Sequence, residues 1–234
     1  MIAESAQLKA ATHIEQLDPK DVSRYMQYMQ TVIEPRTTED VFKRALFSFA
    51  SVHTSWVTNC RMYEELKNLQ WLHSEHLLKE AIVRSGAGLH NNRTRFIHAF
   101  SEFFWDHPKW FNKSRHETWG RYRDRVESQI KGIGFAKAAF LTELLYPVDY
   151  GVVCVDTHIM QLYDCIQGKT PVKQQREIEA HWVATCLRRG VPAAVARWLY
   201  WDTKAGYASP RFWSFVFEEE NYNERLAQLT QPQK

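Results

Sequence analysis

The chain contains no apolar run of the ~18 residues that a membrane span needs, and its opening "MIAESAQLKAATHIEQLDPKD" has no hydrophobic signal-peptide segment. A soluble, cytoplasmic protein with no membrane partner and no visible address label is expected. Cysteine is sparse: Cys60, Cys154, Cys165 and Cys186 stand far apart, with no CxxC and no short His/Cys cluster. That spacing argues against a disulfide framework and against a metal site. The four read as reduced, buried thiols, and no metal is expected. Alternating strand patterns are nearly missing, since "GVVCV" (residues 151–155) is the only β-rich run and is too short to found a sheet. No internal repeat and no low-complexity segment is present.

What remains is helical. The 234 residues, 44% of them hydrophobic, suffice for one large domain or two small lobes. The net charge of +3 permits a nucleic-acid partner without demanding one. Most of the nine Trp belong in a core, and a few could stack on bases. Asp18 as N-cap and Pro19 at the first helical position open a helix whose face is Val22, Tyr25, Met26, Met29, Val32 and Ile33, ended by Pro35. Thr37 and Asp40 have capping-box spacing ahead of a buried helix. "SEHLLKEAIVRSG" ends at Gly86, and Arg93 to Phe104 form another amphipathic helix. "KSRHETWGRYRDRVESQI" is a charged helix that Gly120 can split. A helix follows Asp156 through Ile166, Thr170-Pro171 caps one that reaches Arg189 before Gly190, and "PAAVARWLYWDTKAG" is the last. The tail "LAQLTQPQK" is expected to fray.

"IKGIG", Ile130 to Gly134, is the chemical feature to explain. Glycines at Gly132 and Gly134 allow positive φ and let a foreign backbone approach without a Cβ in the way. The amides after Gly134 open a helix, where N–H groups and the dipole favour a phosphate, and Lys131 adds charge. On the glycine doublet alone, an unliganded interhelical turn is the simpler reading.

The continuation "GIGFAKAAF", with "VDTHI" about nineteen residues on, resembles the helix-hairpin-helix DNA glycosylase superfamily. "LFSFASVHTSWVTN" (Leu46 to Asn59) looks like the family's buried helix and wedge loop, and "GLHNNRTRFI" (Gly88 to Ile97) like its next helix start; together the likeness spans roughly residues 40 to 165. It implies an all-α, two-lobe fold: residues 38–150 as one helical bundle with the hairpin, residues 1–37 plus 151–234 as the other, and a cleft between them. It further implies an enzyme that flips a nucleotide from double-stranded DNA into that cleft. Lys131, Gly132, Ile133, Gly134 and Ala136 would hold the DNA backbone, with Asp156 beside the sugar and base. A carboxylate there can stabilise charge at C1′, act as a base, or cap the helix at Thr157. His158 reads as structural.

The departures matter as much. In family members with lyase activity a Schiff-base lysine stands two residues after the second glycine, which here is Ala136. Lys137 comes one residue later, about 100° further round a helix, and is expected to face elsewhere, leaving no lyase step. The family's four-cysteine iron–sulfur pattern is missing, so no cofactor is expected. The wedge glutamine maps near Val52, leaving His53, Thr54, Trp56, Asn91 or Asn92 to fill the vacated stack.

Two chemistries stay open. One is a monofunctional glycosylase that excises a damaged or modified base with Asp156 and water. The other resembles the phage-encoded amino acid:DNA transferases, or thymine pyrophosphorylases, of thymidine hypermodification. There a free amino acid or amine displaces phosphate or pyrophosphate from activated 5-hydroxymethyluracil, with Asp156 as base and Lys137 or an arginine receiving the phosphate. "GIGFAKAAF" tips the reading slightly to the transferase, in the host cytoplasm and acting as a monomer. A catalytically silent DNA-binding module and a purely structural protein are the blander options. Trp198 and Trp201 share a helical face that reads as core, or puts Trp201 or Asp202 at the rim of a base pocket. Arg121 and Arg123 precede the hairpin and could track phosphates; "EEENYNE" should lie away from DNA.

Overall fold

Asp18 accepts the Lys20 amide at 2.8 Å, and Pro19 supplies the pre-set φ behind it. The computed structural model describes residues 2–149, 151–166, 168–204 and 217; among them lie eleven α-helices and no strand. They are α1 (Glu4–Glu15), α2 (Pro19–Tyr28), α3 (Thr38–Ala50), α4 (Trp56–Leu66), α5 (Glu75–Arg84), α6 (His90–Asp106), α7 (Trp119–Gln129), α8 (Phe135–Leu145), α9 (Thr157–Leu162), α10 (Val172–Arg189) and α11 (Ala193–Lys204). The all-α expectation holds.

Local chemistry explains most boundaries. Thr37 and Asp40 close a reciprocal capping box on α3, and Gly190, at φ +71°, takes the left-handed position that stops α10. Several elements differ from expectation. Helix α4 has no counterpart among the expected helices. Pro171, not a Thr170 side chain, precedes α10; the Thr170 hydroxyl donates to the Ile166 carbonyl instead. Thr118 caps α7, so Gly120 lies in its first turn and splits nothing. Past Asp156 the helix stops at Leu162, with Asp164 at φ +55°, short of Ile166. And α1 has no counterpart in the expected helices: its buried face is Ala6, Ala10 and Ile14, too small to register as an apolar stripe, yet suited to close packing on α10.

The buried side chains fall into two clusters. The first gathers α1, α2, α9, α10 and α11, with Ala10, Tyr25, Met29, Trp182 and Trp198 at its centre. The second gathers residues from α3 to α8, including Phe42, Leu46, Trp71, Ile82, Phe104 and Tyr122. Helices α3, α4 and α8 contribute to both: Phe47, Tyr63 and Phe140 to the first, Leu46, Met62 and Leu141 to the second. Arg44 of α3 ties them further, donating to the carbonyls of Ile33 at 2.7 Å and Val32 at 2.9 Å, where α2 has passed into a π-turn at Met29–Ile33. Among the described residues, no helix is long and apolar enough to cross a membrane.

Candidate functional site: a cavity at the junction of the clusters

Residues 152–156 pair with no strand; the Asp156 amide turns back to the Cys154 carbonyl at 2.9 Å, and the Val153 and Cys154 amides are met by side chains. Cys154 N–H donates to Glu143 Oε1 at 2.7 Å, and Val153 N–H to Glu179 Oε1 at 3.4 Å. Each carboxylate is paired in turn. Arg123 Nη1 donates to Glu179 at 2.6 and 2.7 Å while its guanidinium lies 4.1 Å from the Phe135 ring centre. Arg197 Nε donates to both Glu143 oxygens at 3.0 Å. Two buried ion pairs thus fix the segment that ends at Asp156.

Asp156 uses both oxygens. Oδ1 accepts the Ile159 amide at 3.0 Å as the N-cap of α9, and Oδ2 accepts from Arg197 Nη1 at 2.9 Å. The side chain fronts a cavity of about 820 Å³. Its other walls are Ser51 to Trp56 from the α3–α4 loop, the first turn of α8, and Arg197 and Trp201 of α11. The lining is strongly aromatic: Trp56 meets Trp201 edge-on at 5.8 Å, His158 meets Trp201 at 6.0 Å, and Phe140 backs Lys137 at 5.4 Å.

Lys137 faces this cavity, contrary to the expectation from its position on the helix. The 100° rotation is real, but the N-terminal end of α8 enters the cavity, so Phe135, Ala136 and Lys137 all reach it. Burial lowers the lysine's pKa, and the nearby Asp156 and Glu143 carboxylates only partly restore it. Burial likewise pushes the Cys154 thiol up to about 12, so that sulfur stays protonated. Glu143 and Glu179 are both raised by burial against the opposing pull of their arginines.

In the hairpin only Gly132 has positive φ, at +90°. Gly134 is extended (φ −95°) and a Cβ there would meet nothing within 4 Å, so its expected left-handed role fails. The fold itself has no use for a glycine at 134. Both glycines and Ala136 line the cavity; Lys131 is exposed beside it. Ile133 is buried in the second cluster, which leaves only its backbone for a ligand.

The wedge candidates separate. His53 (φ +50°), Thr54 and Trp56 line the cavity, with Thr54 hydrogen-bonded to the Ala50 carbonyl at 2.6 Å and to the Asn59 amide group. Asn91 and Asn92 are exposed in the first turn of α6 and do not line it. What links the two segments is Arg93, which donates to the carbonyls of Gly88 at 2.8 Å, Phe49 at 3.0 Å and Val52. Arg123, expected to track phosphate, is buried on Glu179, whereas Arg121 is exposed. Asp202 is no rim residue: it is buried and accepts from the Tyr25 hydroxyl. Trp198 belongs to the core and Trp201 to the cavity. His158, read as structural, lines the cavity with its Nδ1 lacking a hydrogen-bond partner. The stretch after Lys204, including the Gly/Ser/Pro loop, "EEENYNE" and the tail, lies outside the described residues apart from Phe217.

Glu143 and Arg197 were missed from sequence. The signal was there, since Glu143 is the lone charge in "AAFLTELL" and Arg197 the lone charge in "VPAAVARWLYW". Charges are rarely buried unless paired. All four cysteines are free, and no group of three or more His, Cys, Asp or Glu among the described residues is placed to hold a metal ion.

No protein-family model and no curated protein matches the chain. Solved structures do. The 8-oxoguanine DNA glycosylase of Thermotoga maritima superposes with a TM-score of 0.69 at 16% identity, over 87% of this chain and 99% of its own. That of Methanocaldococcus jannaschii gives 0.70 at 18% identity, over 84% and 94%. The 8-oxoguanine glycosylase/lyase from the same organism, bound to a 15mer DNA containing 8-oxoguanine, gives 0.67 at 18%, over 85% and 96%. The chain therefore has the helix-hairpin-helix DNA glycosylase fold.

Proposed function

We propose that this protein is a DNA-acting enzyme that takes a nucleotide rotated out of the duplex into the cavity and breaks the bond between its base and C1′. The observation that carries this is the placement of the Lys137 amine and the Asp156 carboxylate on one aromatic-walled cavity. Burial favours the neutral amine, whose lone pair can attack C1′. The C1′–N bond to the base breaks as the C1′–Nζ bond forms, the base departs with the electron pair, and the nitrogen loses a proton to solvent. Asp156, anchored through both oxygens, supplies a fixed negative charge beside the cationic sugar. Trp56, Trp201 and Phe140 offer faces to an everted base. The open amides at the start of α8, with Lys131, would take a DNA phosphate. The likeness in fold to a structure holding DNA supports the same reading.

A second reading is favoured by the cavity's size, since about 820 Å³ exceeds what one pyrimidine fills. It is amine transfer onto phosphorylated 5-hydroxymethyluracil, in which the amine forms a C–N bond as the C–O bond to phosphate or pyrophosphate breaks. Among the described lining residues, Lys137 and Arg197 are balanced by Glu127 and Asp156, and Arg197 is already engaged. A phosphate leaving group would find little net positive charge there, which places excision first.

One experiment separates them. Duplexes carrying 8-oxoguanine, 5-hydroxymethyluracil or its phosphorylated form are incubated with and without amino acids, digested, and weighed as nucleosides. Free base with an abasic site supports excision; a heavier nucleoside with its sugar attached supports transfer and overturns it. Cyanoborohydride trapping of an abasic duplex to the wild type, lost in Lys137→Met, identifies the amine.

A further inference from the structure

Arg197 stands 41 residues beyond Asp156 and 54 beyond Glu143, yet bridges them. Besides its contacts from Nε, its Nη2 lies 2.5 Å from Glu143 Oε2, and the two side chains are 5% and 1% exposed. Because Asp156 Oδ1 is held by α9 and Oδ2 by α11, the carboxylate cannot rotate about Cβ–Cγ without giving up a contact. Glu143 holds Arg197 in place and also holds the Cys154 amide, two residues before Asp156. It therefore reaches Asp156 by two routes, one through a side chain and one through the backbone. Glu143 lies on α8, the helix that carries Lys137. The amine and the carboxylate are thus referenced to one rigid element.

We propose that Arg197 and Glu143 are positioning residues for the reaction inferred above, acting through Asp156 and Lys137 to hold the carboxylate at a fixed place relative to the amine. The proposal rests on that reading of the cavity. A purely structural role explains the arrangement less well. Replacing a buried ion pair with apolar residues of similar volume is often neutral or stabilising, and the Cys154 amide that Glu143 also meets needs an acceptor but not a charge. This pair instead extends to a third partner on the cavity wall. The groups facing Lys137 are Cys154 and Asp156 from the 151–156 segment, Glu143 from its own helix, and Arg197 from α11.

The probe is a duplex with a single abasic site, trapped with cyanoborohydride. Glu143→Met/Arg197→Met removes both charges of the pair together, and with them the two contacts under test, to Asp156 Oδ2 and to the Cys154 amide. Its trapping rate at saturating DNA should fall about 100-fold, the usual cost of a misplaced reacting group, while its affinity for the duplex stays at the wild-type value. Single variants add a readout that loss of packing does not mimic. Glu143 favours the ammonium form of Lys137 and Arg197 disfavours it. The acid limb of the rate should therefore move to lower pH in Glu143→Gln and to higher pH in Arg197→Gln.

Wild-type trapping by the double variant, with Lys137→Met and Asp156→Asn inactive, overturns the positioning role and leaves the reading intact. Wild-type trapping by Lys137→Met overturns the reading and the proposal with it. If the double variant does not fold, Glu143→Gln decides alone: an acid limb at the wild-type pH overturns the proposal.

Discussion

The ring of Phe96 occupies the space that a side chain at residue 132 would need, since a Cβ on Gly132 would lie 2.5 Å from its Cδ2. With φ at +90°, glycine is required here by the fold. Two residues on, at Gly134, neither reason applies. Gly132→Ala should lower stability by about 1–3 kcal/mol, as overpacking does. Gly134→Ala should melt with the wild type and weaken duplex binding, because only an incoming DNA backbone would meet the new methyl. Thermal melts and a DNA titration on both variants check this; wild-type affinity in Gly134→Ala would remove the hairpin from the DNA interface.

A second prediction concerns pH. His13 packs edge-on to Tyr200 at 4.8 Å and near Trp182 at 6.4 Å, its Nε2 has no hydrogen-bond partner, and burial lowers its pKa to about 4. In the unfolded chain it titrates near 6.5. Between those values the unfolded state binds a proton the folded state refuses, so stability falls as pH drops through this window. The full loss amounts to about 3 kcal/mol. Urea unfolding at pH 7 and pH 4.5 should show it, and His13→Phe should flatten the difference.

The Arg123–Glu179 pair gives a third. Glu179→Ala would leave a guanidinium that is 2% exposed without its main partner, and would free the Val153 amide. A loss of about 3–5 kcal/mol is expected. Arg123→Met/Glu179→Met should recover most of that stability. Denaturant midpoints on the single and double variants measure it, and additive losses would show the pair to be uncoupled.

Helix starts were legible at Asp18 and Thr37, where a side chain writes them locally, but not at Ser55 and Thr118, which cap their helices in the same way. The hairpin and Asp156 were legible because glycine placement and a capping acid are short-range signals. Lys137 was misplaced for a physical reason: angular position tells which residues share a side of a helix, but not which helix end a cavity meets. Arg123 and Asp202 were misjudged because their partners, Glu179 and Tyr25, lie 56 and 177 residues away. No local pattern encodes a pair at that distance. Only the rarity of an isolated charge among apolar neighbours hints that one exists.

Arg197 is also late. A ribosome will have delivered the amine of Lys137 and the carboxylate of Asp156 well before the guanidinium that joins α8 to the 151–156 segment. Until α11 docks, Glu143 lacks its guanidinium partner and Asp156 keeps, of its contacts through Oδ1 and Oδ2, only the cap. A chain cut before α11 would therefore carry Lys137 and Asp156 without the guanidinium that ties Asp156 to α8.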